Sequence, residues 1–211
     1  MIDSILFDLD GTLWNSIRSI LPCWQRMAWE KAGVKLTYEN LASIMGKRHQ
    51  EIGDQFFPHL PPEQRLALTL ECCREECVGL DQVGGELYDG VDATLRLLAK
   101  RYPMAIVSNC TEGYIEAFLK AHHFENCFVD FEHPGRTGLS KGENIRLVMQ
   151  RQGMQHGIYV GDTQGDCQAA RQAGIPFIHA QYGFGRVDPQ LCDGLLPVFS
   201  DLPRVLEKWS R

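Results

Sequence analysis

Short apolar runs recur along the chain, and each ends at a glycine or at a small polar or acidic residue before a helix-like stretch begins. This pattern is typical of strands that are buried on both faces of a parallel sheet and connected by helices. The predicted strands are residues 5–9, 104–107, 127–131, 158–161 and 177–180. The predicted helices between them are residues 92–101, 111–121, 141–152 and 166–173.

One long interval, from about residue 15 to residue 85, breaks this alternation. It contains no strand pattern, and its predicted helices are residues 21–32, 38–45, 49–57 and 62–78. Gly84, Gly85 and Gly90 mark the return to the alternating pattern. The chain is therefore predicted to be an α/β protein with a mainly parallel sheet and a helical insert directly after the first strand.

The composition is that of an ordered globular protein: 211 residues, of which 44% are hydrophobic and 23% charged. This length allows one domain or two small ones. The net charge of −6 argues against a nucleic-acid-binding surface. It does not exclude a small anionic ligand, because a local site can oppose the global charge.

No apolar run approaches the roughly 20 residues that a membrane helix needs, and the start of the sequence does not resemble a signal peptide. None of the eight cysteines forms a C-x-x-C pair, and the seven histidines form no H-E-x-x-H motif. We therefore expect reduced thiols, a cytoplasmic location and no zinc site.

Polar side chains follow three of the predicted strands, where ligands bind in open parallel sheets. They are Asp8 and Asp10, Ser108 and Asn109, and Asp162 and Asp166, while Lys141 starts the helix before the fourth strand. The carboxylate oxygens are ligands that suit Mg²⁺. A lysine beside such a site suits a phosphoryl group, whose charge both cations would neutralise.

Each of these positions also has a purely structural interpretation. Asp10 and Gly11 alone are consistent with an ordinary turn, although a turn with two acids directly after an apolar strand favours a ligand site. Ser108 is equally consistent with a cap on the next helix, because helix caps and phosphate sites use the same free N–H groups.

Two capping boxes are predicted at helix starts. Ser140 and Glu143 form the first, which leaves Lys141 unexplained, because a cation in the first helical turn is mildly disfavoured unless an anion is bound there. Thr163 and Asp166 form the second, so Asp166 is equally consistent with a structural and with a metal-binding role.

In this order, the residues resemble the four motifs of the haloacid dehalogenase superfamily, in its Mg²⁺-dependent phosphatase branch. The matching segments are DLDGT at residues 8–12, Ser108, Lys141 and GDTQGD at residues 161–166. The resemblance implies a Rossmann-like core domain, residues 1–14 and 86–211. It also implies a smaller all-helical cap domain, residues 15–85, of the phosphoglycolate-phosphatase and β-phosphoglucomutase type.

The resemblance also implies roles for individual residues. Asp8 would be the nucleophile that forms an aspartyl-phosphate, and Asp10 the acid and base. The implied Mg²⁺ site consists of Asp8, the backbone carbonyl of Asp10, Asp162 and Asp166. The implied phosphate-binding residues are Thr12, Ser108, Asn109 and Lys141. An aspartate at position 10 argues against the dehalogenase and phosphonate-cleaving branches.

The chain departs from the family where the usual Leu-x-Asp-Ser reads Leu13-Trp14-Asn15-Ser16. Asn15 can still cap the first helix of the cap domain, and Trp14 is expected to pack rather than to line the pocket.

Two further segments are candidates for the rim of the site. Lys47 and Arg48 lie in the predicted cap domain, where they would either meet an acidic group on the substrate or belong to a solvated basic loop. The segment at residues 182–185, Tyr-Gly-Phe-Gly, follows the fifth predicted strand and would shape the rim.

The predicted function is Mg²⁺-dependent hydrolysis of a small phosphorylated metabolite, with no nucleic-acid or membrane partner. Two alternatives remain open: a phosphosugar mutase of the β-phosphoglucomutase type, and a non-catalytic binding protein on the same fold. The sequence selects neither the substrate nor the oligomeric state.

Overall fold

The computed structural model describes residues 1–209, so residues 210–211 of the predicted core range lie outside the described part. The strands are, in chain order, β1 (Ser4–Phe7), β2 (Trp14–Asn15), β3 (Glu86–Leu87), β4 (Met104–Val107), β5 (Asp130–Glu132), β6 (Gly157–Gly161), β7 (Phe177–Ala180) and β8 (Gly194–Leu196). The α-helices are α1 (Ile17–Ala32), α2 (Tyr38–Ala42), α3 (His49–Phe56), α4 (Pro62–Val83), α5 (Val91–Leu98), α6 (Tyr114–His122), α7 (Pro134–Thr137), α8 (Lys141–Gln152), α9 (Gln164–Ala173) and α10 (Leu202–Leu206).

Six strands form one parallel sheet in the order β5-β4-β1-β6-β7-β8. Ile5 of β1 pairs with Met104 of β4 on one side and with Ile158 of β6 on the other. Every residue of β1, β4, β6 and β7 is buried, which is why these strands read as continuous apolar runs. The mainly parallel α/β fold is thus confirmed, and β1 lies between the two strands whose ends carry the other candidate residues.

Helices α1 to α4, called the helical insert below, leave the sheet after the first strand and pack on one another. Trp24 of α1 and Cys72 of α4 belong to its buried core. Helix α4 also packs against α6 of the sheet region, where the Lys120 ammonium lies 2.7 Å from Asp81 Oδ1. The elements within the predicted range 15–85 are helices, as predicted. The exception is Asn15, which belongs to the two-residue strand β2.

Several predicted strand boundaries are wrong. The run at 127–131 is a strand only from Asp130 to Glu132, and Cys127 and Phe128 pack in the preceding turn. The acids of this edge strand are paired with arginines, since Arg151 contacts both of them. The first strand stops at Phe7 rather than at residue 9, because the Leu9 carbonyl accepts hydrogen bonds from a turn.

Short and weakly patterned elements were not predicted. The two-residue strands β2 and β3 pair with each other, and β8 adds the sixth strand of the parallel sheet. Helix α8 has the predicted bounds, whereas other helix ends differ by up to five residues: α4 runs to Val83 rather than to residue 78, and α2 ends at Ala42 rather than at residue 45. Among the described helices, none combines the length and the apolar character needed to span a bilayer.

Candidate active site

The candidate site lies at the carboxyl ends of β4, β1 and β6, which are neighbours in the sheet. Asp8 follows β1, Ser108 follows β4 and Asp162 follows β6, so the sheet order itself brings the three residues to one edge. All three are almost completely buried. The far-apart motifs of the sequence therefore converge, as predicted.

Lys141 connects the second half of the chain to the first. Its side chain is only 6% exposed, and its ammonium lies 2.7 Å from Asp8 Oδ1 and 2.6 Å from Asp166 Oδ1. Burial alone would lower the pKa of this ammonium, but the charges of Asp166 and Asp8 outweigh it and hold the pKa well above its usual value. Lys141 is therefore a buried cation of the site and not a solvated lysine at a helix start.

The two predicted capping boxes are confirmed. In α8, Ser140 Oγ accepts from the backbone N–H of Glu143. In α9, Asp166 Oδ2 accepts from the backbone N–H of Thr163 at 2.9 Å, while its other oxygen accepts from Lys141. Asp166 thus caps a helix and faces the site at the same time, so its two interpretations are compatible.

Asp8, Asp162 and Asp166 form the acidic group of the site. One carboxylate oxygen of each lies within 4.8 Å of the others. Asp8 Oδ2 and Asp162 Oδ1 are buried and have no hydrogen-bond partner among the described residues. Buried, unpartnered carboxylate oxygens are costly unless a cation accompanies them, so this donor set fits a hard divalent cation such as Mg²⁺.

Electrostatics in the site favour proton uptake by the carboxylates when no metal ion is bound. Burial and the negative charges of Asp166 and Asp10 raise the pKa of Asp8 to about 7, although Lys141 lowers it. Burial and the same kind of repulsion, from Asp166 and Asp8, raise the pKa of Asp162 well above its usual value. A bound cation would replace these protons.

Asp10 is held by two hydroxyl groups. Ser16 Oγ and Tyr114 OH each donate to Asp10 Oδ1 at 2.8 Å. Burial raises the pKa of the Asp10 carboxyl, and the two hydrogen bonds oppose that rise. An acid and base needs such a balance, because it must change its protonation state during a reaction.

Two of the other predicted phosphate-binding residues, Ser108 and Asn109, line one cavity together with Asp10. Thr12 is fully buried, and its hydroxyl has no partner among residues 1–209. Asn109 donates from Nδ2 to the carbonyl of Gly46 at 2.9 Å, so it joins the helical insert to the sheet. The interpretation of Ser108 as a helix cap is wrong, because α6 begins at Tyr114 with Gly113 at its N-cap.

Two spaces adjoin the site and meet at residues 45–47 and Asn109. A small cavity of about 50 Å³ is lined by Asp10, Ser108 and Tyr114, with insert residues opposite them. A wider groove of about 750 Å³ is lined by Lys47, Arg48, Lys141 and the start of α9. Lys47 and Arg48 are exposed there, and their charged groups contact Gln55 and Glu51.

Some residues that build the site were not identified from the sequence. Tyr114 carries no motif, and its contact with Asp10 spans 104 positions of the chain. Segment 182–185 does more than shape a rim: the backbone N–H groups of Phe184 and Gly185 donate to Asp162 Oδ2 at 2.7 and 3.1 Å. The two glycines of this segment are the sequence feature that pointed to it, because glycine allows a close approach of backbone. In the structure, a Cβ at Gly183 would lie 2.3 Å from the carbonyl oxygen of Gly11.

The departure from the usual motif at residues 13–16 concerns packing. Trp14 is fully buried and contacts Tyr114, Phe118 and His122 edge-on, as expected for a packing residue. Asn15 Oδ1 accepts from the backbone N–H of Ile17 at the start of α1, so it still serves the first helix of the insert.

Comparison with known proteins gives a consistent result. The model of the family described as haloacid dehalogenase-like hydrolase matches residues 5–180. The phosphoglycolate phosphatase of Pseudomonas putida is 28% identical over 96% of this chain and 78% of that protein. The phosphoglycolate phosphatase of Rhodobacter capsulatus is 27% identical over 100% of this chain and 99% of that protein.

A solved structure has the same fold at low sequence identity. It is a hydrolase of the haloacid dehalogenase-like family from Streptococcus pneumoniae, which superimposes with a TM-score of 0.77 over 100% of this chain and 99% of that chain. The two sequences are 20% identical, so this likeness supports the fold alone.

Proposed function

The chain belongs to the haloacid dehalogenase-like hydrolase family, and from that premise we propose that it hydrolyses a small phosphorylated metabolite in a Mg²⁺-dependent reaction. The observation that carries this proposal is the buried Lys141 ammonium between Asp8 and Asp166, beside unpartnered oxygens of Asp8 and Asp162. A cation and a metal-binding acidic group in one place suit a phosphoryl dianion. The relatives named phosphoglycolate phosphatase support a phosphate monoester as the substrate class.

The metal ligands that we propose are the carboxylates of Asp8, Asp162 and Asp166 and the backbone carbonyl of Asp10. All of these donors are oxygens, which Mg²⁺ prefers over softer ligands. When bound, the ion withdraws charge from the phosphoryl group and so reduces its repulsion by the carboxylates.

Asp8 is the proposed nucleophile. A carboxylate oxygen of Asp8 attacks phosphorus, the bond from phosphorus to the leaving oxygen breaks, and an aspartyl-phosphate forms on Asp8. The Lys141 ammonium, already 2.7 Å from Asp8 Oδ1, favours the ionised carboxylate, as a bound metal ion would, and neutralises charge on the phosphoryl oxygens.

Asp10 is the proposed acid and base. In the first step its carboxyl gives a proton to the leaving oxygen, and in the second it takes a proton from the water that attacks phosphorus. The second step breaks the bond to Asp8 and releases inorganic phosphate. The Ser16 and Tyr114 hydroxyls hold the carboxyl in position for both steps.

The remaining binding residues receive supporting roles. Thr12, Ser108 and Asn109 are proposed to bind phosphoryl oxygens together with Lys141. Lys47 and Arg48 are exposed in the wider groove that also contains Lys141, and we propose that they attract the phosphoryl dianion as it enters.

We also propose that residues 15–85 act as a cap domain on a core formed by residues 1–14 and 86–211. The cavity of about 50 Å³ beside Asp10 lies between the two parts. It has room for roughly three to five non-hydrogen atoms, judged by the space that one water needs. A hexose, with roughly a dozen such atoms, exceeds it, which argues against the sugar mutase alternative.

The cysteines support a reducing, cytoplasmic environment as part of the proposal. All eight are free thiols, although four of them lie in the helical insert, where Cys72 and Cys73 are buried side by side. Proteins of oxidising compartments commonly use such cysteines in disulfides.

The test is phosphate release from a panel of small phosphate monoesters and from acetyl phosphate, with Mg²⁺ or with EDTA. We expect Mg²⁺-dependent release by the wild type and a loss of at least about 1,000-fold in Asp8→Asn. Asp89→Asn, which changes an exposed aspartate, is the matched control. Formation of glucose 6-phosphate from glucose 1-phosphate would support the mutase instead, and full activity of Asp8→Asn would refute the nucleophile assignment.

A further inference from the structure

Glu76 is a buried carboxyl group that the proposed reaction does not use. It lies in the middle of α4 of the helical insert and is only 7% exposed. The indole N–H of Trp24 donates to its Oε2. A carboxyl this deeply buried costs free energy, so its position in the insert calls for a function.

Glu76 lines the same small cavity as Asp10. Asp10 is the group that protonates the leaving oxygen, so the space beside it is where the leaving group must lie. The insert side of this space is largely apolar, and its lining includes the buried residues Ile20, Ile44 and Ile52. Among the described insert residues that line the cavity, Glu76 is the one carboxyl group.

The cavity has little to offer an anionic leaving group. Its insert and sheet sides carry the carboxyl groups of Glu76 and Asp10, and neither group supplies the positive charge that a buried anion needs. Lys47 also lines it but is exposed, and its ammonium donates to Gln55 Oε1 at 2.7 Å. Burial lowers the pKa of His49, another lining residue, which favours the neutral imidazole.

We propose that Glu76 binds the alcohol part of the substrate, and that the substrate is a small phosphate monoester whose leaving group carries an uncharged hydroxyl rather than a carboxylate. This inference rests on the proposed phosphatase function and specifies its substrate class. It differs from what the relatives' names indicate, because phosphoglycolate carries a carboxylate on the leaving group.

The protonation state of Glu76 agrees with this assignment. Burial raises the pKa of its carboxyl to about 8, so at neutral pH the group is mostly protonated. In that state it donates one hydrogen bond and accepts another, which matches a hydroxyl group. A leaving group that lacks the hydroxyl would leave the buried Glu76 without that partner.

The experiment compares three substrates of similar size at pH 7 with Mg²⁺: 2-hydroxyethyl phosphate, n-propyl phosphate and phosphoglycolate. For the wild type we expect kcat/KM to be at least about 10-fold higher for 2-hydroxyethyl phosphate than for either of the others. Equal or faster turnover of n-propyl phosphate or phosphoglycolate by the wild type overturns the proposal without any variant.

Variants then assign the preference to Glu76. Glu76→Leu should lose the preference for the hydroxyl over the methyl group of n-propyl phosphate, whereas Glu76→Gln, which still hydrogen-bonds, should keep it. The control is Glu75→Gln, an exposed neighbour on α4 that pairs with Arg26. An unchanged preference in Glu76→Leu would assign it to another residue and overturn the role of Glu76.

Acetyl phosphate separates this inference from the proposed function. Its phosphoryl group is activated, and its acetyl group has no hydroxyl for Glu76 to bind. Mg²⁺-dependent hydrolysis of acetyl phosphate without discrimination among the three esters contradicts the role of Glu76 alone. A wild type that hydrolyses none of the four compounds contradicts the phosphatase proposal, and this inference with it.

Discussion

Lys141 is the first residue of α8, yet its ammonium is buried between two carboxylates. Burying an ammonium is costly, and burying two carboxylates without it would cost more. The same balance applies to Asp10, whose buried carboxyl is held by the hydroxyls of Ser16 and Tyr114. At the residue scale, the site therefore consists of charged groups that each need a particular partner.

Lys141→Met tests the first of these balances. Asp8 and Asp166 would lose their buried counter-ion, so the free energy of unfolding should fall by about 3–5 kcal/mol without metal. We expect kcat/KM for acetyl phosphate to fall at least about 100-fold, because the phosphoryl charge loses its cation. Lys100→Met, at an exposed position, is the matched control. Wild-type kinetics in Lys141→Met would show that the ammonium takes no part in the reaction.

Tyr114→Phe tests the second balance, the one at Asp10. The variant removes a hydrogen bond that lowers the pKa of Asp10, so that pKa should rise. With acetyl phosphate the leaving group needs no proton, and the acidic limb of the pH–rate profile reports the ionised Asp10 that activates water. We expect this limb to move upward by roughly one pH unit. Tyr102→Phe serves as the control, and an unmoved limb would dissociate Tyr114 from Asp10.

At the element scale, the turns after the strands hold the site together. Gly11 has a φ of 81°, and a Cβ there would lie 2.2 Å from Asp162 Oδ2. Segment 182–185, after β7, donates two backbone hydrogen bonds to the same carboxylate. Asp162 is therefore positioned by two backbone turns rather than by side chains.

Gly183→Ala should disturb this arrangement. The new Cβ would lie 2.3 Å from the carbonyl oxygen of Gly11 and 2.4 Å from Asp162 Cβ, so the segment must shift away from the carboxylate. We expect Mg²⁺ affinity, measured by calorimetry, to fall about 10-fold or more. Gly79→Ala, in a helix and with open space around it, should have no effect on affinity. Equal affinity in both variants would argue against this positioning role.

The elements differ in how far the sequence determines them. Strands β1, β4, β6 and β7 are buried on both faces, so their apolar runs are visible in the sequence, as are the acids that follow β1 and β6. Strands β2 and β3 have two residues each, which is too short for any periodicity.

The same limit applies to contacts. The pairing of Tyr114 with Asp10 and the access of Glu76 to the cavity depend on how the insert packs on the sheet. No local pattern in the sequence encodes that packing. The motif residues could therefore be predicted, whereas the residues that hold or surround them could not.

At the scale of the whole molecule, stability and metal binding are coupled through the acidic group. Burial and neighbouring acids raise the pKa of Asp8 to about 7 and that of Asp162 well above its usual value. In an unfolded chain such carboxyls have a pKa of about 4. The folded protein thus holds protons on these two carboxyls that the unfolded chain has released, and without metal their contribution to the free energy of unfolding falls as pH rises from about 4 to 7.

Mg²⁺ should reverse this loss. The ion competes with the protons on Asp8 and Asp162, so its affinity should increase with pH through about 7. We expect saturating Mg²⁺ to raise the melting temperature by several degrees at pH 8 and by clearly less at pH 6, measured by thermal denaturation. Asp162→Asn should abolish most of this shift, whereas Asp89→Asn should retain it. A shift that is the same at both pH values would contradict the coupling.

The most direct test of the whole account is to locate the phosphoryl group on the protein. Asp10→Asn should still accept the phosphoryl group of acetyl phosphate, because acetate leaves without protonation, but it lacks the base that activates water. With Mg²⁺, the mass of the peptide that contains Asp8 should therefore increase by one phosphoryl group in this variant. The same peptide should stay unmodified in EDTA and in the Asp8→Asn, Asp10→Asn double variant. Phosphate release by the wild type, with no phosphoryl group on Asp8 in Asp10→Asn, would contradict the account.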